Sequence, residues 1–180
     1  FLAPEGRGTF VLVVLSVTIL SRLLGQLGLA VTTRMREQGA ELRRLVHRAF
    51  ALAIALGAAG AGVVVLSAPA TGVDTDVAVV AAVALIPNVI WQTVSGILLG
   101  LARVRVWNVI QALSPMLTLA GMVVLVVLLD GGVRAAVTAW TLAHVLTAVF
   151  ALFVTRDVWH PLGPPRVLDA HGRTLLRLAI

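Results

Sequence analysis

Arg22 stands thirteen residues along an apolar stretch that begins at Thr9. As a helix rising 1.5 Å per residue, that stretch puts its backbone about 20 Å from Thr9 and about 13 Å from Val31, beyond easy reach of either surface. A guanidinium at such depth costs several kcal/mol unless water, a counter-charge or an anionic ligand receives it. None of the apolar stretches contains a clear carboxylate partner. One reading is therefore that Arg22 lines a hydrated central cavity and pairs with a phosphate-bearing ligand. The other is a helix that ends near Leu20, with polar Ser21 to Gly28 as an early exit and Arg22 at the interface. The residues themselves leave both open.

Other polar residues recur within the apolar stretches at helical spacing. Gln26 follows Arg22 by one turn, Asn88 and Gln92 share a face just after Pro87, and Gln111, Ser114 and Thr118 form a third set. Trp140, His144 and Thr147 form a fourth, with His144 near the middle of its stretch. Such amides and hydroxyls often only join helices, and a lone histidine is more often a satisfied core residue than a proton relay. Taken together they point to a polar interior, neutral or cationic, that suits an anionic substrate better than a cationic one. Catalysis finds no support. There are no paired carboxylates, no metal cluster at ligand spacing, no glycine-rich nucleotide loop followed by Lys and no justified Ser/His/Asp set. The expectation is a transporter and not an enzyme, with no cofactor and no metal, driven by a gradient, a partner or product removal.

The elements that must position these groups are five apolar runs, 9–31, 49–70, 77–101, 107–129 and 133–154. Each is about long enough to cross a ~30 Å hydrocarbon layer as a helix. The fold class is thus all-α, a polytopic transmembrane bundle. With 59% hydrophobic and 12% charged residues there is no soluble domain to find. The net charge of +6 comes from arginines gathered in particular loops, so it reads as a topology signal and nucleic acid is not expected as a partner. The absence of cysteine removes disulfides and thiol chemistry.

Eleven of the fourteen basic residues, all arginine, fall on one side: Arg34, Arg36, Arg43, Arg44 and Arg48, then Arg103 and Arg105, then Arg156, Arg166, Arg173 and Arg177. The other side has Arg7 and Arg134 among Glu5, Asp74, Asp76 and Asp130. The positive-inside rule makes the arginine-rich side cytoplasmic, with Phe1 outside and Ile180 inside. Pro4, Gly6 and Gly8 read as a tight external corner, Pro69 as the close of the second span and Asp130-Gly131-Gly132 as the shortest hairpin. Residues 34–48 read either as an amphipathic surface helix or as a solvated extension of the next span. Pro87 and Pro115 are kink or hinge candidates, while Gly96 and Gly100 form a GxxxG that favours close helix packing, as do the small residues from Gly57 to Gly62. A start without Met or signal peptide, and an apolar run just opening at 175–180, give the expectation of an internal fragment with 155–180 leading to a further span.

Four segments resemble one family. Leu2-Ala3-Pro4-Glu5-Gly6-Arg7-Gly8-Thr9-Phe10 is similar to the corner after the first helix of bacterial polysaccharide flippases, with Ala3 where a Gly is common. Gly25-Gln26-Leu27-Gly28-Leu29 resembles the end of their second helix. The stretch from Gly100 through Arg103, Arg105, Trp107 and Asn108 to Gln111 resembles their short basic turn before an Asn-containing helix. Arg173-Thr174-Leu175-Leu176-Arg177-Leu178-Ala179 resembles the lead-in to their seventh helix. In order and spacing, the chain resembles helices two to six of the Wzx-type branch of the multidrug, oligosaccharidyl-lipid and polysaccharide exporter superfamily.

That resemblance implies most of the N-terminal lobe of a two-lobe, alternating-access transporter in the bacterial cytoplasmic membrane. It also implies transfer of a polyprenyl-diphosphate-linked oligosaccharide between leaflets for surface polysaccharide assembly. The expected partners are that anionic lipid-linked glycan, membrane lipids, and a polysaccharide polymerase or other assembly proteins. Arg22 would receive the diphosphate, with Gln26, Asn88, Gln92 and His144 as hydrogen-bonding groups. Three alternatives stand beside this: a peptidoglycan-precursor flippase, a cation-coupled multidrug exporter, and a membrane scaffold without transport.

Overall fold

The structure is a computed structural model that describes residues 3–37 and 42–159, with side chains placed over 3–33 and 45–159. Ala3 is extended and Pro4 takes the first helical position of α1 (Pro4–Leu24), where its missing N–H removes nothing from the helix. Glu5 lies in that first turn, next to the positive end of the helix dipole. Gly6 and Gly8 are therefore helical, and the expected corner through them is instead the first two turns of α1. The helix also continues past Leu20 to Leu24, so it does not end where the early-exit reading placed its end. At Gly25 the ladder tightens, with the Gly28 N–H donating to Gly25 O at 3.0 Å, three residues back. Then α2 (Gln26–Glu37) carries on, and Pro4–Thr33 forms one apolar span.

The chain returns through α3 (Leu42–Thr71), which runs two residues beyond Pro69 before Gly72 turns it at a φ of +68°. Pro69 withholds the N–H that the Val65 carbonyl would accept, yet the helix continues past it to Thr71. The third span is two helices, α4 (Thr75–Val83) and α5 (Leu85–Gly100), joined at Ala84. Pro87 explains the joint. It has no N–H for the Val83 carbonyl and its ring crowds that carbonyl, so the ladder resets one turn earlier, where the Ala84 N–H donates to Ala81 O at 3.0 Å. Pro115, by contrast, sits inside an unbroken α6 (Val104–Met122). The end of that span widens into a π-helical turn over Val123–Leu128, seen in the Leu129 N–H donating to Val124 O at 3.1 Å. The hairpin follows as read from sequence, with Asp130 at φ +50° and Gly132 at +63°, and leads into α7 (Gly132–Val154) and the short α8 (Arg156–Trp159).

Among the described residues five helices are long and apolar enough to cross a membrane, and the chain is an all-α membrane bundle. Successive spans alternate in direction. One end of the bundle carries Arg103, whose guanidinium grips Asp157 through two hydrogen bonds, 3.2 Å and 2.6 Å. The opposite end carries Asp76 and Arg134, 3.9 Å apart and largely solvated, a pair that contributes little. Near this second end Val13, Val17, Ala81, Leu85, Val137 and Trp140 belong to one buried cluster. The first end is held by Val31, Val46, Ala49 and Ile97, and by Val94, Leu98, Ile110 and Ala151. Leucines such as Leu15, Leu66, Leu119 and Leu146 face outward, as lipid requires. The amphipathic reading of 34–48 rests on side chains outside the described residues, as do Phe1, Leu2 and the whole of 160–180 with its basic lead-in.

Candidate functional site

Along the first span, Thr18, Ser21, Gly25, Gly28 and Thr32 fall at intervals of three or four, so small and hydroxyl groups share one face. On α5, Asn88, Gln92, Ser95 and Gly96 do the same. The two stripes meet. Gly28 and Gly96 bring their backbones together so closely that a Cβ on either would overlap the other helix, Gln92 O in one case and Gly28 O in the other. The GxxxG expectation is thus met at Gly96, as a contact between two helices of this chain. Thr32 Oγ1 lies 2.9 Å from both Gly28 O and Gly96 O, so its single hydrogen is shared between them. Gln92 Nε2 donates to Ser21 O at 2.8 Å and Asn88 Nδ2 donates to Ser21 Oγ at 3.3 Å. At Gly57 the small-residue stretch of α3 also lets Ile86 approach, its Cα 2.8 Å from where a Cβ would stand.

Beside this seam lies a cavity of about 500 Å³, lined by the first span, α5, α6 and α7. Arg22, Asn88, Gln92 and His144 all line it, as does Pro115. Gln26 does not, and neither does Pro87, whose part is to set the joint one turn before Asn88. The Arg22 side chain is exposed in the described chain and makes no hydrogen bond or ion pair with another described residue. No carboxylate lines the cavity among the described residues. His144 Nδ1 donates to Trp140 O at 2.8 Å, which fixes the ring and turns Nε2 away from its own backbone. The Trp107 indole N–H donates to Ser95 Oγ and spans the gap between α6 and α5. Gln111 and Ser114 add an amide and a hydroxyl from α6.

The depth of the cavity follows from residue order. Its lining begins with Leu99, Trp107 and Thr32, in the last turns at the Arg103 end, and stops at Thr18, Asn88, Pro115 and His144. At 1.5 Å per residue, Arg22 lies about 16 Å from Thr33 and His144 about 15 Å from Val154. Immediately beyond come Val17, Leu85 and Trp140 of the apolar cluster. The polar space therefore occupies one half of the bundle and ends against a dry half.

Trp91, Trp107, Ser95, Ser21 and Thr32 also line this space or tie it together and were not singled out from sequence. The small-polar stripe from Thr18 to Thr32 was a legible signal for two of these, Ser21 and Thr32. Comparison with protein-family models, with curated proteins and with solved structures yields no match for this chain.

Proposed function

We propose that this chain is part of a flippase that moves a polyprenyl-diphosphate-linked oligosaccharide across the bacterial cytoplasmic membrane for surface polysaccharide assembly, as its resemblance to Wzx-type proteins implies. The observation that carries the reading is Arg22, a guanidinium at mid-span that faces a polar cavity and has no partner among the described residues. A diphosphate satisfies such a group through bidentate, charge-assisted hydrogen bonds. The neutral amides around it, Asn88 and Gln92, add donors without competing negative charge. The lipid tail stays in the bilayer while the head group occupies the cavity, and movement of the surrounding helices exchanges the open side. The arginine-rich end, where the cavity begins, is cytoplasmic by the positive-inside rule, which matches a substrate collected from the inner leaflet.

The test is to delete the complete gene and measure the polyprenyl-linked intermediates the cells retain. Accumulated diphosphate-linked surface oligosaccharide is expected, cleared by the wild-type gene but not by Arg22→Ala at equal membrane abundance. Losing charge-assisted hydrogen bonds to a diphosphate costs about 1.5–3 kcal/mol, so transport by the variant should fall at least about tenfold. Normal transport by a well-expressed Arg22→Ala protein removes Arg22 from this role. Accumulated peptidoglycan precursor moves the assignment to that class of flippase, and an unchanged lipid pool moves it to drug export or a scaffold.

A further inference from the structure

Two of the four tryptophans of this chain, Trp91 on α5 and Trp107 on α6, line the cavity. Each is half-buried, packed on one side against the cluster of Val94, Leu98, Ile110 and Ala151, with the remainder turned to the polar space. An indole backed by a rigid core is a platform, because its orientation is paid for in advance. Trp107 is fixed further by its N–H bond to Ser95. A tryptophan that merely anchors a helix at the membrane surface directs its N–H toward the head groups. Trp107 instead spends that N–H inside the bundle. Trp91 lies nine residues before Gly100, about 14 Å in from the helix end and below the level of an interfacial belt.

Trp107 touches Ser95, and the same cavity is lined by the neutral hydrogen-bonding side chains Gln92, Gln111 and Ser114. Flat apolar faces combined with neutral donors and acceptors match a pyranose ring, whose faces present C–H groups and whose rim presents hydroxyls. We infer that Trp91 and Trp107 form a sugar-binding subsite in the cavity, next to the phosphate site at Arg22, and that this subsite contributes to the choice of the first sugars of the glycan. The inference rests on the flippase reading for the presence of a diphosphate head group, but its own content is the recognition of the sugar.

The experiment uses the full-length protein in nanodiscs and two probes, a short-chain isoprenyl diphosphate and the same lipid carrying one hexose. Wild type should bind the hexose-bearing probe more tightly. Trp91→Leu and Trp107→Leu should each weaken that probe by about three- to tenfold, the scale of one aromatic contact, and leave the sugar-free probe unchanged. Trp107→Phe, which keeps a ring face, should recover much of the loss, a result that a purely structural role would not produce. Equal weakening of both probes, or no change in either, overturns the sugar subsite while leaving the diphosphate reading intact. A wild-type protein that binds neither probe overturns both.

Discussion

α5 meets two of its cavity neighbours, α2 and α6, by different means. Toward α2 the contact is backbone on backbone at Gly28 and Gly96, reinforced by Thr32 and, just before it on α1, by the bonds from Gln92 and Asn88 to Ser21. Toward α6 it is made by side chains, with the Trp107 indole reaching Ser95. Where two backbones touch, the distance between helices is set by covalent geometry and has no slack. Where one indole bridges a gap, the distance follows a rotamer. The α2 side therefore fixes the position of the cavity, and the α6 side is the wall free to adjust its width.

The sharpest way to break this contrast is Gly96→Leu. A side chain there must push α2 away, which should cost about 2–3 kcal/mol and lower the melting temperature of the full protein in detergent. Gly62→Leu is the control, because a Cβ at Gly62 meets nothing within 4 Å, and it should melt at or above wild type. Equal melting of the Gly96 variant and wild type would mean that the backbone seam does not form. A smaller effect of opposite sign is expected at the turn between α5 and α6, where Ala102 has a φ of +56°. Ala102→Gly relieves that left-handed strain and should stabilise by about 1 kcal/mol in the same assay, whereas destabilisation would show that the turn is not strained. The smallest effect belongs to the outer face of α6. Leu119 is 67% exposed, and Leu119→Ala should shift stability by no more than about 0.5 kcal/mol. A larger loss there would mean that another helix covers this face.

The spans were legible because a membrane demands long apolar helices and little else satisfies the backbone. Pro87 was legible as a disturbance but not in its position, since the carbonyl it orphans and the joint it causes lie upstream at Val83 and Ala84. That helix α1 runs through Arg22 to Leu24 was not legible, because the polar residues from Ser21 onward read equally as a helix end. Gln26 was paired with Arg22 by its four-residue spacing, yet four residues advance a helix by about 40° beyond a full turn. Arg22 is already at the edge of the stripe formed by Ser21, Gly25 and Gly28, and that advance carries Gln26 out of the cavity. Trp91 was missed because periodicity tells which residues share a face and not which helix that face will meet. The approach of Gly28 to Gly96 is such a long-range fact.

The polar cavity stops halfway across the bundle, and this has an electrical consequence. Water filling the polar half would conduct, and nearly all of a transmembrane voltage would then fall across the dry half, around Val17, Leu85 and Trp140. Arg22, on the wet side of that boundary, then stays close to the potential of the arginine-rich compartment. A charge carried across the thin apolar layer would cross almost the whole field in a short step, worth about 2.3 kcal/mol per elementary charge for each 100 mV. For any charge that crosses this boundary, the membrane potential would thus be a force applied at one place, between Thr18 and Val13 along the first helix.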